Sequence, residues 1–359
     1  HPQHRRQRQM CIRDSNCRPL LLKALNKENL STPPIWFMRQ AGRYMPEYRQ
    51  VRKKFKNFLD MCKNPDVCCE LALQPIKAFN LDAAILFSDI LTIPDAFGLK
   101  VKFEENKGPI FHNPVKSIED IENLKPFYPK SLAYVYEAVS NIKNSLPNNI
   151  PLIGFTGSPW TLAAYSIEGS TSKNFNKTIN FIKKHKEASH ILLAKFTDAC
   201  FLYVREQVKS GADVIQIFDS WANILDESNF SSFSLQYLRS LISALKNDIV
   251  TKNIPIILFL RSPKCSTSEL INTSTDCISL YTAMQNFDID VASGKVAIQG
   301  NLDPKILLES KDVIKKESHK ILNKFKDYPG YIFNLGHGIT PNINPCLLYT
   351  SDAADDVVG

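Results

Sequence analysis

Short apolar runs recur along the chain, each followed by a longer stretch in which apolar residues return every three or four positions. The runs are Ile35–Met38, Ala83–Phe87, Pro151–Phe155, Val214–Phe218, Pro255–Leu260, Cys277–Leu280, Val296–Gln299 and Tyr331–Asn334. Each is rich in Ile, Val, Leu or Phe and bounded by Gly, Pro or polar residues, the pattern of strands covered on both faces. The intervening stretches read as helices. Over Lys186–Ser210, for example, Ile191, Leu192, Ala194, Ala199, Leu202 and Val208 build a broad apolar face interrupted by solvated charges. Asp303 before Pro304 reads as an N-cap followed by a first-turn proline. Eight strands alternating with helices predict an α/β fold, a single-domain, distorted (β/α)8 TIM barrel. The alternative, a doubly wound open sheet, normally carries a Gly-rich turn after its first strand; Arg39-Gln40-Ala41-Gly42 offers one glycine.

Composition narrows the class. Of 359 residues, 44% are hydrophobic and 22% charged, enough for a large core. No apolar run approaches the ~20 residues that span a bilayer, so no membrane partner is expected. The nine cysteines lack paired spacing and Cys68 adjoins Cys69, which suits reduced thiols and a cytoplasmic location. The formal net charge of +8 favours an anionic partner. Lysines are scattered, with no basic cluster interleaved with aromatics, so nucleic acid is not expected; a polyanionic small molecule is equally compatible with the charge, which alone does not choose. The ends break the pattern. Residues 1–15, an Arg/Gln string, read as a non-native leader or an Arg-rich transit segment, and 346–359 as a non-native tail. The fold reading therefore covers residues 16–345, and setting the ends aside leaves the net charge unchanged.

In a barrel of parallel strands the active site forms at the C-terminal rim. The unusual residues fall there repeatedly: Arg39, Arg43 and later Arg52 after the first run, Ser88 and Asp89 after the second, and Thr156–Trp160 with Tyr165 after the third. Asp219, Ser220 and Trp221 follow the fourth run, and Gly336-His337-Gly338 the last. Arginines suit a substrate with several carboxylates, because guanidinium forks bind carboxylates bidentately; each could also be an ordinary surface ion pair. Asp89 reads either as a loop-fixing or capping residue or as a negative charge held in an apolar mouth to stabilise a cation. Tyr165 could equally be a core aromatic, Ser220 has no base beside it in sequence, and the glycines around His337 fit a ligand approach or a tight turn. His112, His185, His190, His319 and His337 show no metal-ligand spacing with the cysteines, and neither a P-loop nor a dinucleotide fingerprint occurs. A site with no cofactor and no metal is expected.

These residues also carry a resemblance. Phe37-Met38-Arg39-Gln40-Ala41-Gly42-Arg43-Tyr44-Met45-Pro46-Glu47-Tyr48 resembles the N-terminal motif of the uroporphyrinogen decarboxylase family. So do Phe87–Leu91, Gly157–Thr161 leading to Tyr165, Phe218–Trp221, Gln299–Pro304 and Asn334–Gly338, in that order between about Pro19 and Pro345. The resemblance implies a homodimeric barrel of haem and porphyrin biosynthesis. Such an enzyme decarboxylates the four acetate side chains of uroporphyrinogen III to give coproporphyrinogen III, without cofactor. It further implies that Arg39, Arg43 and His337 contact substrate carboxylates, with Arg52 in the cleft. Asp89 would bind the pyrrole N–H groups, Tyr165 and Ser220 would hydrogen-bond carboxylates, and Phe218 would pack on the macrocycle. By the same resemblance Asp89, Arg39 and Arg43 form the catalytic set.

Three stretches depart from the family pattern. Arg261-Ser262-Pro263-Lys264-Cys265 replaces a glycine-rich segment, Ser279-Leu280-Tyr281 stands where relatives carry an aspartate, and Asn223 replaces a glycine. A final covering helix expected after Pro345 gives way to the unrelated tail. The alternatives are thus a tetrapyrrole-binding protein inactive through truncation, or a zinc-dependent methyltransferase of the same superfamily. The second would need a His-x-Cys type cluster at the strand ends.

Overall fold

The computed structural model describes residues 18–104, 108–284 and 287–348. The leader and the tail fall outside the described residues, apart from Cys346–Leu348. Seven parallel strands form one sheet in the order β1 (Ala84–Ile85), β4 (Leu152–Gly157), β5 (Val214–Asp219), β6 (Ile256–Leu260), β7 (Cys277–Ser279), β8 (Ala297–Gln299) and β9 (Tyr331–Ile332). A separate antiparallel pair, β2 (Val101–Glu104) and β3 (Gly108–Phe111), leaves the barrel after β1. Every expected apolar run therefore lies in the sheet except the first.

The first run instead closes the ring through one residue. Ile35 bridges Phe333 in parallel, and its carbonyl accepts a hydrogen bond from the Asp82 N–H at 2.8 Å, next to β1. It extends no further as a strand because side chains intercept its backbone. The Phe37 N–H donates to Gln40 Oε1 and the Met38 N–H to Asn334 Oδ1, while Gln40 Nε2 donates to the Ala83 carbonyl. The buried amide of Gln40 thus does the joining that a ladder would do elsewhere, and the chain turns out of the sheet at Arg39.

Strand residues alternate between two environments, as the period of two requires. Val214, Ile257, Phe259, Cys277, Ala297 and Ile332 pack in one cluster with Trp36 and Met38, inside the barrel. Ile215, Ile217, Ile256, Leu258, Ile278 and Ile298 pack outward against the helices. Curling of the sheet is visible in one polar layer. Gln299 on β8 donates to Gln216 on β5 at 3.4 Å and to Ser279 on β7 at 2.9 Å, and accepts from the Trp36 indole at 2.8 Å. A flat sheet would hold β5 and β8 too far apart for that contact. The helix Leu20–Leu25 plugs the opposite end of the interior with Leu21, Ala24 and Leu25. The helix expected over Lys186–Ser210 runs Lys186–Lys209, and Asp303 does cap Pro304–Leu308, which is a 3-10 helix. Among the described residues no helix is long and apolar enough to cross a membrane.

Candidate active site

Because all seven strands run in parallel, the segments that follow them meet on one rim. Arg39 is the residue that connects them. It sits in the left-handed region (φ 62°), which a non-glycine residue adopts only when its surroundings hold it there. Its side chain lies across Gly338, where a Cβ would collide with it, so the glycine next to His337 makes room for the guanidinium. Neither Gly336 nor Gly338 has a positive φ, and Gly336 packs closely on Thr282. Close approach, not turn geometry, is what these two glycines provide.

Asp89 is half-buried at the end of the β1 segment. One carboxylate oxygen accepts the Leu91 N–H at 2.8 Å, which fixes the local turn; the other makes no hydrogen bond among the described residues. Burial pushes this carboxyl up to about 6, against the opposing pull of the Leu91 N–H and of Arg39. At neutral pH it is ionised, but only by about a unit. Both readings of Asp89 thus hold at once: it shapes its loop with one oxygen and presents the other.

His337 is half-buried, and burial together with the charges of Arg39 and Arg261 lowers its imidazole to about 4. It is therefore neutral above pH 5 and meets a carboxylate as an N–H donor, not as a cation. The Tyr165 phenol is raised by burial and by the Asp89 charge, and lowered by Arg39. Its ring packs edge-on against Phe175 and Trp221. Arg39, Asp89, Tyr165 and His337 thus share one electrostatic neighbourhood.

Arg43 and Arg52 form a second group. Both favour ionisation of Tyr48, whose phenol burial nonetheless lifts to about 12. Arg43 is exposed, and Arg52, half-buried, donates to the Phe55 carbonyl at 2.6 Å. Phe218 meets Phe155 edge-on and Phe259 at 5.9 Å, and Phe259 in turn meets His337 at 6.4 Å, which gives the mouth an aromatic floor. Ser220 is half-buried, and its hydroxyl has no protein partner among the described residues.

Asp219 does not belong to the mouth. Its carboxylate accepts from Ser158 Oγ (2.9 Å), Thr161 Oγ1 (2.8 Å) and Ser234 Oγ (2.5 Å), fully buried on the outward face of β5. It ties the loop after β4 to the loop after β5, a link reinforced by the Trp160 indole donating to the Trp221 carbonyl at 2.9 Å.

Sequence reasoning passed over Arg261 and Tyr281 as site residues. Arg261 lies with its guanidinium carbon 5.5 Å from the Trp221 ring centre and 5.7 Å from that of Tyr281. The following Ser262 takes a left-handed backbone (φ 48°), a conformation that costs a non-glycine residue about 1–2 kcal/mol. Strand parity was the available signal: 257, 259 and 261, like 277, 279 and 281, are successive inward positions. Among the described residues no three His, Cys, Asp or Glu side chains come together as a metal site would require.

Similarity to known proteins agrees with this geometry. The family pattern described as uroporphyrinogen decarboxylase (URO-D) matches residues 17–348. A uroporphyrinogen decarboxylase of Vesicomyosocius okutanii is 47% identical over 90% of this chain and 93% of its own length. That of Legionella pneumophila (strain Paris) is 45% identical over 91% and 93%. Among solved structures, a methyltransferase from Methanosarcina mazei superposes with a TM-score of 0.74 over 94% of this chain and 97% of that one. At 20% identity that likeness shows the barrel fold alone. With nearly the whole described chain matched, and at identities close to one half, this chain belongs to the uroporphyrinogen decarboxylase family.

Proposed function

We infer that this chain is a carboxy-lyase that converts uroporphyrinogen III to coproporphyrinogen III by removing the carboxyl groups of its four acetate side chains. The observation that carries the reading is the convergence on Arg39: the carboxylate, phenol and imidazole matched by family motif all feel this one guanidinium.

Each part has a physical role. Arg39 and Arg43, with Arg52 at the cleft edge, neutralise substrate carboxylates through charge-assisted hydrogen bonds. Tyr165, Ser220 and neutral His337 add hydrogen-bond donors, and Phe218 supplies an apolar surface for the macrocycle. Protonation of an electron-rich pyrrole carbon leaves a cationic ring, which takes up the electron pair as CO2 departs. A second protonation then leaves a methyl group. The unpaired oxygen of Asp89 accepts pyrrole N–H bonds and stabilises the cation; a preorganised group of this kind is worth about 10²–10³ in rate. The substrate's own ring is the electron sink, so the reading requires no cofactor. A cytoplasmic homodimer whose barrel occupies residues 16–345 belongs to the same reading.

Incubation of the purified chain with uroporphyrinogen III under anaerobic, reducing conditions tests it, with products separated by carboxyl number after oxidation. Stepwise appearance of the hepta-, hexa-, penta- and tetracarboxylic species is expected. Binding without loss of any carboxyl would leave a tetrapyrrole carrier instead.

A further inference from the structure

Two residues outside the family motifs come together in space. Arg261 comes from the segment after β6, and Tyr281 follows the end of β7. The Arg261 guanidinium faces both Tyr281 and Trp221, and the Tyr281 ring lies 6.1 Å from His337. Arg261 is half-buried and makes no ion pair or hydrogen bond among the described residues. A half-buried guanidinium held over two aromatic faces, with no carboxylate on it among the described residues, has its N–H donors available.

A resident cation in this position has a cost unless an anion completes it, because stacking on rings compensates only part of the lost hydration. The Asp219 carboxylate, on the same β5 segment, cannot serve: its oxygens are taken by three hydroxyls behind the sheet. The inward parity of 261 and 281 aims both residues at the space over Phe259 and His337, and so at the mouth.

We propose that Arg261 is a further substrate-binding residue, taking a peripheral carboxylate of the tetrapyrrole on the β6–β7 side of the mouth while Trp221 and Tyr281 hold its guanidinium in place. The proposal rests on the decarboxylase reading and adds to it a contact made alike in the ground and transition states. Arg261 would therefore govern affinity, not the chemical step.

The test is steady-state kinetics of the full chain with uroporphyrinogen III, alongside thermal melting. Arg261→Gln is expected to raise KM about tenfold or more, the usual weight of a charge-assisted hydrogen bond, with kcat within about threefold of wild type. Arg261→Lys, which keeps the charge but loses the fork, falls between the two. Tyr281→Leu raises KM by about two- to fivefold, since it loosens the guanidinium without removing it. An unchanged KM in Arg261→Gln overturns the proposal. So does a loss confined to kcat, or one that lysine fails to relieve and that follows the melting temperature. If wild type itself releases no CO2, the decarboxylase reading fails separately. Affinity for uroporphyrin, followed by its fluorescence, then decides the residue: weaker binding by Arg261→Gln retains the proposal, and equal binding overturns it.

Discussion

Two carboxylates stand at strand ends on the same rim, and the fold uses them in opposite ways. Asp219 occupies an outward position of β5, so it faces the helices behind the sheet and is saturated by Ser158, Thr161 and Ser234. Asp89 ends the β1 segment facing the mouth, with one backbone N–H and the field of Arg39. Burial raises both carboxyls. Only Asp89 has an oxygen to offer. What separates a structural carboxylate from a functional one here is which side of the sheet it projects from and how many donors are left to it.

Three experiments would sharpen or break that contrast. The largest effect is expected on stability. Asp219→Ala strands three hydroxyl donors in a dry site and should lower unfolding free energy by about 3 kcal/mol in denaturant titration. A loss below 1 kcal/mol would mean that the network is not a brace. Next is pH. The Asp89 carboxyl, near 6, is protonated below that value, so log kcat/KM should fall with unit slope as pH drops through about 6. In Asp89→Asn the limb should vanish; its persistence would assign it to another group. The smallest effect is at His337. Since the imidazole is already neutral, His337→Asn keeps an N–H donor and should cost less than about tenfold in kcat/KM. A hundredfold loss would show that an imidazolium operates there.

Much of the architecture was legible in the sequence because buried strands announce themselves locally. All eight apolar runs take part in the barrel, and the rim position of Arg39, Asp89, Tyr165 and His337 followed from counting strand ends. The first run shows where local reading stops. Ile35–Met38 has strand composition, yet its ladder ends after one bridge because Gln40 and Asn334, the latter nearly 300 residues away, claim its N–H groups. Asp219 and Ser220 are neighbours in sequence and both sit at a strand end, but the period of two sends one behind the sheet and leaves the other toward the mouth. At Arg261 the sequence shows only a departure from the family pattern. Ser262 takes a left-handed backbone there, yet the consequence for the site is the guanidinium beside it, which only the partners Trp221 and Tyr281 reveal. Pairings of this kind depend on register between distant segments, which composition does not encode.

The most direct test is a crossed measurement of Asp89→Asn and Asp219→Asn, each assayed for kcat on uroporphyrinogen III and for melting temperature at pH 7. An acid whose folded pKa is raised above its unfolded value lessens stability at every pH above both. Removing the charge of Asp89 should therefore leave melting unchanged or higher, while kcat falls about 10²–10³-fold. Asp219→Asn should instead melt lower although burial raises this carboxyl too, because an amide has one acceptor oxygen for three hydroxyl donors; kcat should stay near wild type in the folded fraction. Retained turnover in Asp89→Asn would contradict the account, as would a loss of turnover that merely follows a loss of folding.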